Sequence, residues 1–334
     1  MEIHGLNRKT VNNIFRKYMM EIILVVMFIV LSIFAPGFLS SDNILGIFRN
    51  MAIVGVIAFG MTMVIINGEI DLSVGSAIGI SAVATAIISR RLAESGFSDA
   101  FALIIAMLAA VAICSLIGMF NGFIRARFGI PTFIITLAML NVLYGIAATW
   151  SAGFPVVINS GWYSFIGAGQ FFKTESFQGI PAPMIWLIIV FFIIWIVMNK
   201  TRFGREVYAV GGNIEAARLS GINIAKVKII TMMAVQALAA FSGIMLSSQV
   251  MAGSSQFGRG YEMDVIASVI IGGTSLFGGV GRAWGTFIGI LFLGVINNCM
   301  TLLGVDDYIK YIVKGSLILI AVLINTIQLQ RKDA

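Results

Sequence analysis

Few residues in this chain are able to do chemistry, and they fall in two clusters. The first is Asn67-Gly68-Glu69-Ile70-Asp71-Leu72-Ser73-Val74-Gly75, with two carboxylates set between long apolar runs. Carboxylates beside a membrane core are costly when unpaired, so Glu69 and Asp71 must lie in the interface, in water or against a helix N-terminus. Asp71 or Ser73 is expected to cap the helix that follows. Ion coupling fits less well, because a proton- or sodium-driven carrier needs its acid deep inside a span. The second cluster is Gly260-Tyr261-Glu262-Met263-Asp264, followed by an apolar run and then Gly272-Gly273-Thr274-Ser275-Leu276-Phe277-Gly278-Gly279-Val280-Gly281-Arg282. Glycines at this density allow a broken or closely packed helix, with Thr274 and Ser275 able to satisfy freed backbone groups. No Gly-Lys-Ser or Gly-Lys-Thr accompanies them, so this is not a phosphate loop.

An enzyme site is hard to build from what remains. His4 is the only histidine, which excludes a His-based triad, an HExxH zinc site and His-ligated haem. Paired intramembrane aspartates are absent too. Cys114 and Cys299 lie inside apolar runs and offer neither a disulfide framework nor a thiolate metal site. Asn141, Asn297, Asn298 and Gln249 stand within spans or at their ends, as interhelical hydrogen bonds or as substrate contacts.

The elements carrying these residues are set by composition. Of 334 residues, 59% are hydrophobic and 11% charged, against roughly 45–50% and 25% in soluble domains. With about 20 apolar residues per spanning helix, that is material for about ten spans and excludes an ordinary soluble protein. Spans are expected near 19–35, 48–66, 72–89, 100–124, 132–150, 183–198, 227–249, 265–280, 284–303 and 308–328. The basic tail of Arg8, Lys9, Arg16 and Lys17 before the first span resembles a signal-peptide layout. The run is long, however, and Pro36-Gly37-Phe38 is no small-residue cleavage site, so the span is read as retained.

The net charge of +7 has to be counted by side of the membrane. With the N-terminus inside, ten spans put Arg8, Lys9, Arg16, Lys17, Arg125, Arg127, Arg282, Arg331, Lys332 and six basic residues of 199–228 in the cytoplasm. Arg49, Arg90, Arg91, Lys173, Arg259, Lys310 and Lys314 fall on or near the other side. Both termini are thus expected to be cytoplasmic. The outer stretch 151–182, with Trp162-Tyr163, reads as an interfacial anchor or a partner surface. In the inner stretch 199–228, Asn213 is placed to cap a helix over Ile214 to Ser220, with Glu215 in its first turn, Arg218 near its end and Gly221 as its stop. A helix of seven residues cannot stand alone, so it must pack on its own bundle or on another protein. Gly118, Asn121-Gly122 and Gly129-Ile130 also recur as Gly294, Asn297-Asn298 and Gly304-Val305. If spans 2–5 match spans 7–10, the two halves have opposite topology, as in inverted-repeat transporters.

Taken in order, these segments form a specific combination. Gly68 to Gly75, Asn121-Gly122, Pro131 to Leu137, Thr201-Arg202-Phe203-Gly204-Arg205, Tyr208-Ala209-Val210-Gly211-Gly212-Asn213, Ala216 to Ile222, Gly260 to Asp264, Gly272 to Gly281 and Asn297-Asn298 resemble the membrane permease subunit of ribose-type ABC importers, which carry ribose, xylose, arabinose, galactose and related solutes. The resemblance runs from the first span to the last. It implies an all-α, ten-helix type II importer fold with an inverted repeat, a second permease copy, and a cytoplasmic ATPase commonly made of two fused nucleotide-binding domains. It also implies an extracytoplasmic sugar-binding protein. ATP would be bound by the ATPase, leaving this chain without a cofactor, a metal or a catalytic role. Carried over by position, Gly211, Gly212, Asn213, Glu215, Ala216, Arg218, Ser220 and Gly221 belong to the coupling helix that seats on the ATPase. One departure stands out: Glu69 is found where many members have glycine followed directly by Ile-Asp-Leu-Ser.

A path that releases its cargo quickly should be lined by small, modestly polar side chains. By helix position and chemistry, Phe133, Thr136, Asn141, Thr274, Ser275 and Asn297 are the candidates. Rival readings are an ABC permease for a nucleoside, an autoinducer sugar or a branched amino acid, and an ATP-independent carrier or channel. The last would need no coupling helix.

Overall fold

The structure, a computed structural model, describes residues 19–175 and 177–333. His4 and the basic residues Arg8, Lys9, Arg16 and Lys17 lie outside the described residues. The chain runs α1 (Met19–Phe34), α2 (Ser41–Ile66), α3 (Val74–Glu94), α4 (Asp99–Phe128) and α5 (Thr132–Trp150). After β1 (Val156–Val157) come the one-turn α6 (Ser164–Ala168), β2 (Gln170–Phe171), β3 (Ile180–Pro181), α7 (Ala182–Lys200), α8 (Arg202–Gly212) and α9 (Ile214–Leu219). The chain continues through α10 (Ile224–Val250), β4 (Ala252–Gly253), α11 (Tyr261–Ile271), α12 (Ala283–Leu302) and α13 (Asp307–Asp333). Among the described residues seven helices, α2, α3, α4, α5, α7, α10 and α12, are long and apolar enough to cross a membrane.

These helices divide by burial. In their most apolar stretches α3 is 67% buried and α2 61%, against 28% for α4 and α5. A helix apolar all round belongs inside a bundle or in lipid. Here α2, α3 and α10 form the centre, while α4, α5 and α7 turn large apolar side chains such as Leu108, Phe120, Val142 and Phe192 outward. α4 nevertheless packs closely on α10, and small residues make it possible: a Cβ at Gly118 would strike the Met232 carbonyl, and one at Gly122 would come within 2.7 Å of the Ile229 backbone.

The ends of α2, α4, α7 and α11 meet the starts of α3, α5, α10 and α12 at one end of the bundle, which also carries α8 and α9. Glu21, at the start of α1, pairs there with Arg282 (3.8 Å). The opposite end holds the two small antiparallel pairings, Val156 with Gly253 and Gln170 with Pro181.

Three expectations change. The span expected over 265–280 is helical only to Ile271; residues 272–282 turn back on themselves because Gly273, Gly278 and Gly279 take left-handed backbone conformations (φ 88°, 86° and 71°) that side-chain-bearing residues avoid. The 151–182 stretch is more than an anchor. Tyr163 is fully buried, its hydroxyl bonded to Ser247 and within 3.1 Å of the Ile244 carbonyl, while Trp162 stays 41% exposed. Thirdly, neither Asp71 nor Ser73 caps α3 in the expected way, since Ser73 at the cap position makes no side-chain cap bond.

Candidate coupling and translocation sites

The segment 199–228 is assembled from local caps. Thr201 Oγ1 accepts from the Gly204 N–H (3.1 Å) and starts α8. Asn213 Oδ1 accepts from the Ala216 N–H (2.9 Å) and starts α9, and Asn223 Oδ1 accepts from the Lys226 N–H (3.0 Å) and starts α10. Each satisfies a donor that a helix N-terminus leaves open. At the far end of α9 the Ser220 hydroxyl donates to the Ala216 carbonyl (2.9 Å), and Gly221 (φ 79°) ends the turn. Ala217 is the buried residue of α9. Leu219 is 80% exposed, and Glu215 and Arg218 pair in the open at 2.9 Å.

The C-terminal turn of α8 is pressed against the base of the bundle. A Cβ at Gly211 would run into the Ile66 carbonyl and come within 2.7 Å of the Gly279 nitrogen, and Gly279 N–H itself donates to the Ile66 carbonyl (2.8 Å). Tyr208 donates its hydroxyl to the Gly281 carbonyl (2.8 Å), and burial pushes that phenol above its ordinary pKa, keeping it a donor. Backbone therefore meets backbone where α8, the end of α2 and the 272–282 turn converge. Gly212 differs: a Cβ there meets open space.

Beside this junction the 67–73 turn is tied to three helices. Glu69, buried, accepts from Arg125 Nε of α4 (2.7 Å) and from Lys228 of α10. Asp71 accepts from the Ser73 N–H (2.8 Å), the Ser73 hydroxyl (2.6 Å) and Gln236 Nε2 of α10 (2.8 Å). Asn67 donates to Thr231 of α10 (3.1 Å), and the Leu72 N–H donates to Thr136 of α5 (3.0 Å). Both carboxylates are thus held inside the protein by hydrogen bonds and, at Glu69, by two cations. Thr231 and Gln236 are single polar residues among apolar neighbours along the chain, and Lys228 reads there as one more cytoplasmic charge, whereas the structure buries it against Glu69. Lys228 and Thr231, three residues apart, do share one face of a helix.

The six pathway candidates do not converge. Thr136 is buried and occupied with the Leu72 amide. Phe133 is exposed at the start of α5. Asn141 donates to the Leu137 carbonyl of its own helix (3.2 Å) and lines a small cavity with Tyr144 and Arg259. Thr274 and Ser275 are buried in the 272–282 turn, where the Ser275 N–H donates to the Val280 carbonyl (2.9 Å). Asn297 stands elsewhere, in a polar cavity between α2, α11 and α12. Among the described residues no group of three or more His, Cys, Asp and Glu is placed to hold a metal ion.

A bundle of apolar helices with buried polar ties, carrying an exposed short helix across one end, is the architecture of a multi-pass membrane protein. The family described as the permease component of branched-chain amino acid transport systems matches residues 43–322, and the chain belongs to it. Relatives extend over nearly the whole chain. It is 40% identical to the ribose import permease protein of Bacillus subtilis (strain 168) over 302 residues, 90% of each chain. It is 39% identical to the ribose import permease protein of Escherichia coli (strain K12), over 91% of this chain and 92% of that one. With the L-arabinose transport system permease protein of the same strain it shares 35% identity, over 93% and 91%. The resemblance drawn from the motifs is borne out. No solved structure matches the chain.

Proposed function

We propose that the chain is the permease subunit of an ATP-driven ABC importer that carries a monosaccharide, ribose-like or a related sugar, across the cytoplasmic membrane. The observation that carries this reading is the match to ribose and arabinose permeases along about nine-tenths of both chains. Two permease copies, an ABC ATPase with two fused nucleotide-binding domains and an extracytoplasmic sugar-binding protein complete the importer; ATP acts on the ATPase. Ten membrane segments are reached by adding α1, α13 and the half-length α11 to the seven long helices, with both termini cytoplasmic and spans 2–5 repeated in inverted topology by spans 7–10.

In this reading α9 is the coupling helix. Its support is an exposed Leu219 beside Glu215 and Arg218 on a helix too short to be stable alone. Gly211 seats the preceding turn on the end of α2, so a displacement of α8 and α9 reaches a central helix through backbone contact. The permease bundles then rock between outward-open and inward-open states, and the binding protein supplies most of the affinity.

The family description favours one competitor, a branched-chain amino acid as cargo. Affinity purification from native membranes with mass spectrometry, followed by a thermal-shift screen of the recovered binding protein, tests both. An ATPase and a binding protein stabilised by a monosaccharide are expected. Stabilisation by leucine or isoleucine overturns the sugar assignment, and recovery of the permease alone under crosslinking overturns the importer.

A further inference from the structure

The cavity that holds Asn297 has the chemistry of a binding site. About 170 Å³ in volume, it is lined by Asn50 of α2, Asp264 and Ser268 of α11, and Asn297, Asn298 and Thr301 of α12, with Met51 and Leu293 among its apolar walls. Six polar side chains from three helices facing one hollow are not a feature of lipid-exposed or closely packed surfaces, where such groups are costly. Asn50 stands nine residues inside α2, about 13 Å from its start at 1.5 Å per residue, so its exposed carboxamide is well below the helix end.

The neighbouring ties leave the right groups free. Asn298 is engaged in a reciprocal amide pair with Asn43 (3.0 and 2.7 Å), which closes α2 against α12 nearer the end of the bundle. Asp264 is held by Lys314 of α13 (2.9 Å). The side chains of Asn50 and Asn297 have no hydrogen-bond partner among the described residues, and each offers two donors and an acceptor with two lone pairs. The volume is below the roughly 300–1,000 Å³ of pockets for drug-sized ligands, which restricts the occupant to a small solute. No cation lines the cavity; Lys314 beside it is paired with Asp264 (2.9 Å), and Lys310, which donates to Thr301 (3.2 Å), is paired with Asp307 (2.8 Å), so an amino acid carboxylate meets no cation on the cavity wall. A neutral solute with several hydroxyls finds partners there.

We infer that this cavity is a polyol-binding stop on the translocation path, at the end opposite α9, where Asn50 and Asn297 hydrogen-bond the hydroxyls of a monosaccharide in transit. The inference rests on the sugar-importer reading and names the site within the permease.

The test uses the complete importer, with its ATPase and binding protein, in proteoliposomes. Uptake of D-ribose, and of L-arabinose if ribose is not carried, is compared with uptake of single-deoxy analogues at saturating loaded binding protein. Asn50→Ala and Asn297→Ala should each lower uptake of the parent sugar at least threefold, the scale of one lost neutral hydrogen bond. They should also bring its rate closer to that of the deoxy analogue that lacks the partnered hydroxyl. The ratio between two sugars does not depend on how much protein folds, so a merely structural effect would lower both rates together. Uptake within threefold of wild type, or an unchanged ratio for every analogue, overturns the assignment of the cavity and leaves the importer intact. Failure of the unaltered importer to carry any monosaccharide overturns the importer reading instead.

Discussion

Removing the Glu69 carboxylate tests whether the knot at the base of the bundle holds it together. The Lys228 side chain is 6% exposed and among the described residues meets no carboxylate other than Glu69, whereas the Arg125 side chain is 25% exposed. In Glu69→Ala, Arg125 can therefore turn to water and Lys228 cannot. An uncompensated buried charge costs about 3–5 kcal/mol, roughly a hundred- to several-thousand-fold in the folding equilibrium. The assay is thermal unfolding of the purified permease in mild detergent, with Glu69→Ala, Lys228→Met and the double variant side by side. Glu69→Ala should be the least stable of the three, and the double variant should recover most of the loss, since it removes the stranded charge together with its partner. Equal stability of Glu69→Ala and the parent would refute the buried pairing, and so would a double variant no better than Glu69→Ala.

Three further expectations can be measured on the same preparation. Gly211→Val drives a side chain into the Ile66 carbonyl and should lower sugar uptake per ATP hydrolysed at least tenfold, whereas Gly212→Ala, facing open space, should leave coupling within twofold. Leu219→Asp should abolish co-purification of the ATPase without shifting the melting transition, because Leu219 contacts no core. Arg218→Ala should cost less than about 1 kcal/mol of stability, as exposed ion pairs do, and its effect should appear only in the ratio of transport to hydrolysis.

What the sequence made legible was local. Asn213 followed by Glu215, Arg218 and Gly221 is a cap, a favourable charge order and a stop within nine residues, and α9 forms over Ile214–Leu219 almost as those signals require. Asp71 could not be read the same way. Its hydrogen-bond partner Gln236 is 165 residues distant, so a rule about helix starts assigned to Ser73 and Asp71 a task that tertiary contacts replaced. The 265–280 span was overextended because hydropathy does not register left-handed glycines: the run is apolar to the end, but the backbone leaves the helix at Gly272. Thr136 has the hydroxyl and helix position of a pathway residue, but the structure uses that hydroxyl on the Leu72 amide. Asn297 has the same marks and does line a cavity, whereas Asn50, which lines it from α2, is an isolated asparagine beside Arg49 and reads along the chain as a span boundary.

The two ends of the permease are joined by one element. α2 runs from the Asn43–Asn298 pair and the Asn50 cavity to the Ile66 carbonyl, 26 residues or about 39 Å at helical rise, with no proline along it. At its lower end the contacts are backbone to backbone, through Gly211 and Gly279, and the 67–73 turn just beyond is fixed to α4, α5 and α10 by charged and hydrogen-bonded ties. Side chains at the junction would yield by changing rotamer before the helix moved; glycines leave nothing to yield. On the proposed coupling role of α9, a displacement of α8 is therefore expected to move α2 itself rather than to be absorbed by rotamer changes. Because α2 also carries Asn43 and Asn50, a disulfide crosslink in the double variant Asn43→Cys, Asn298→Cys should lower transport more than ATPase binding.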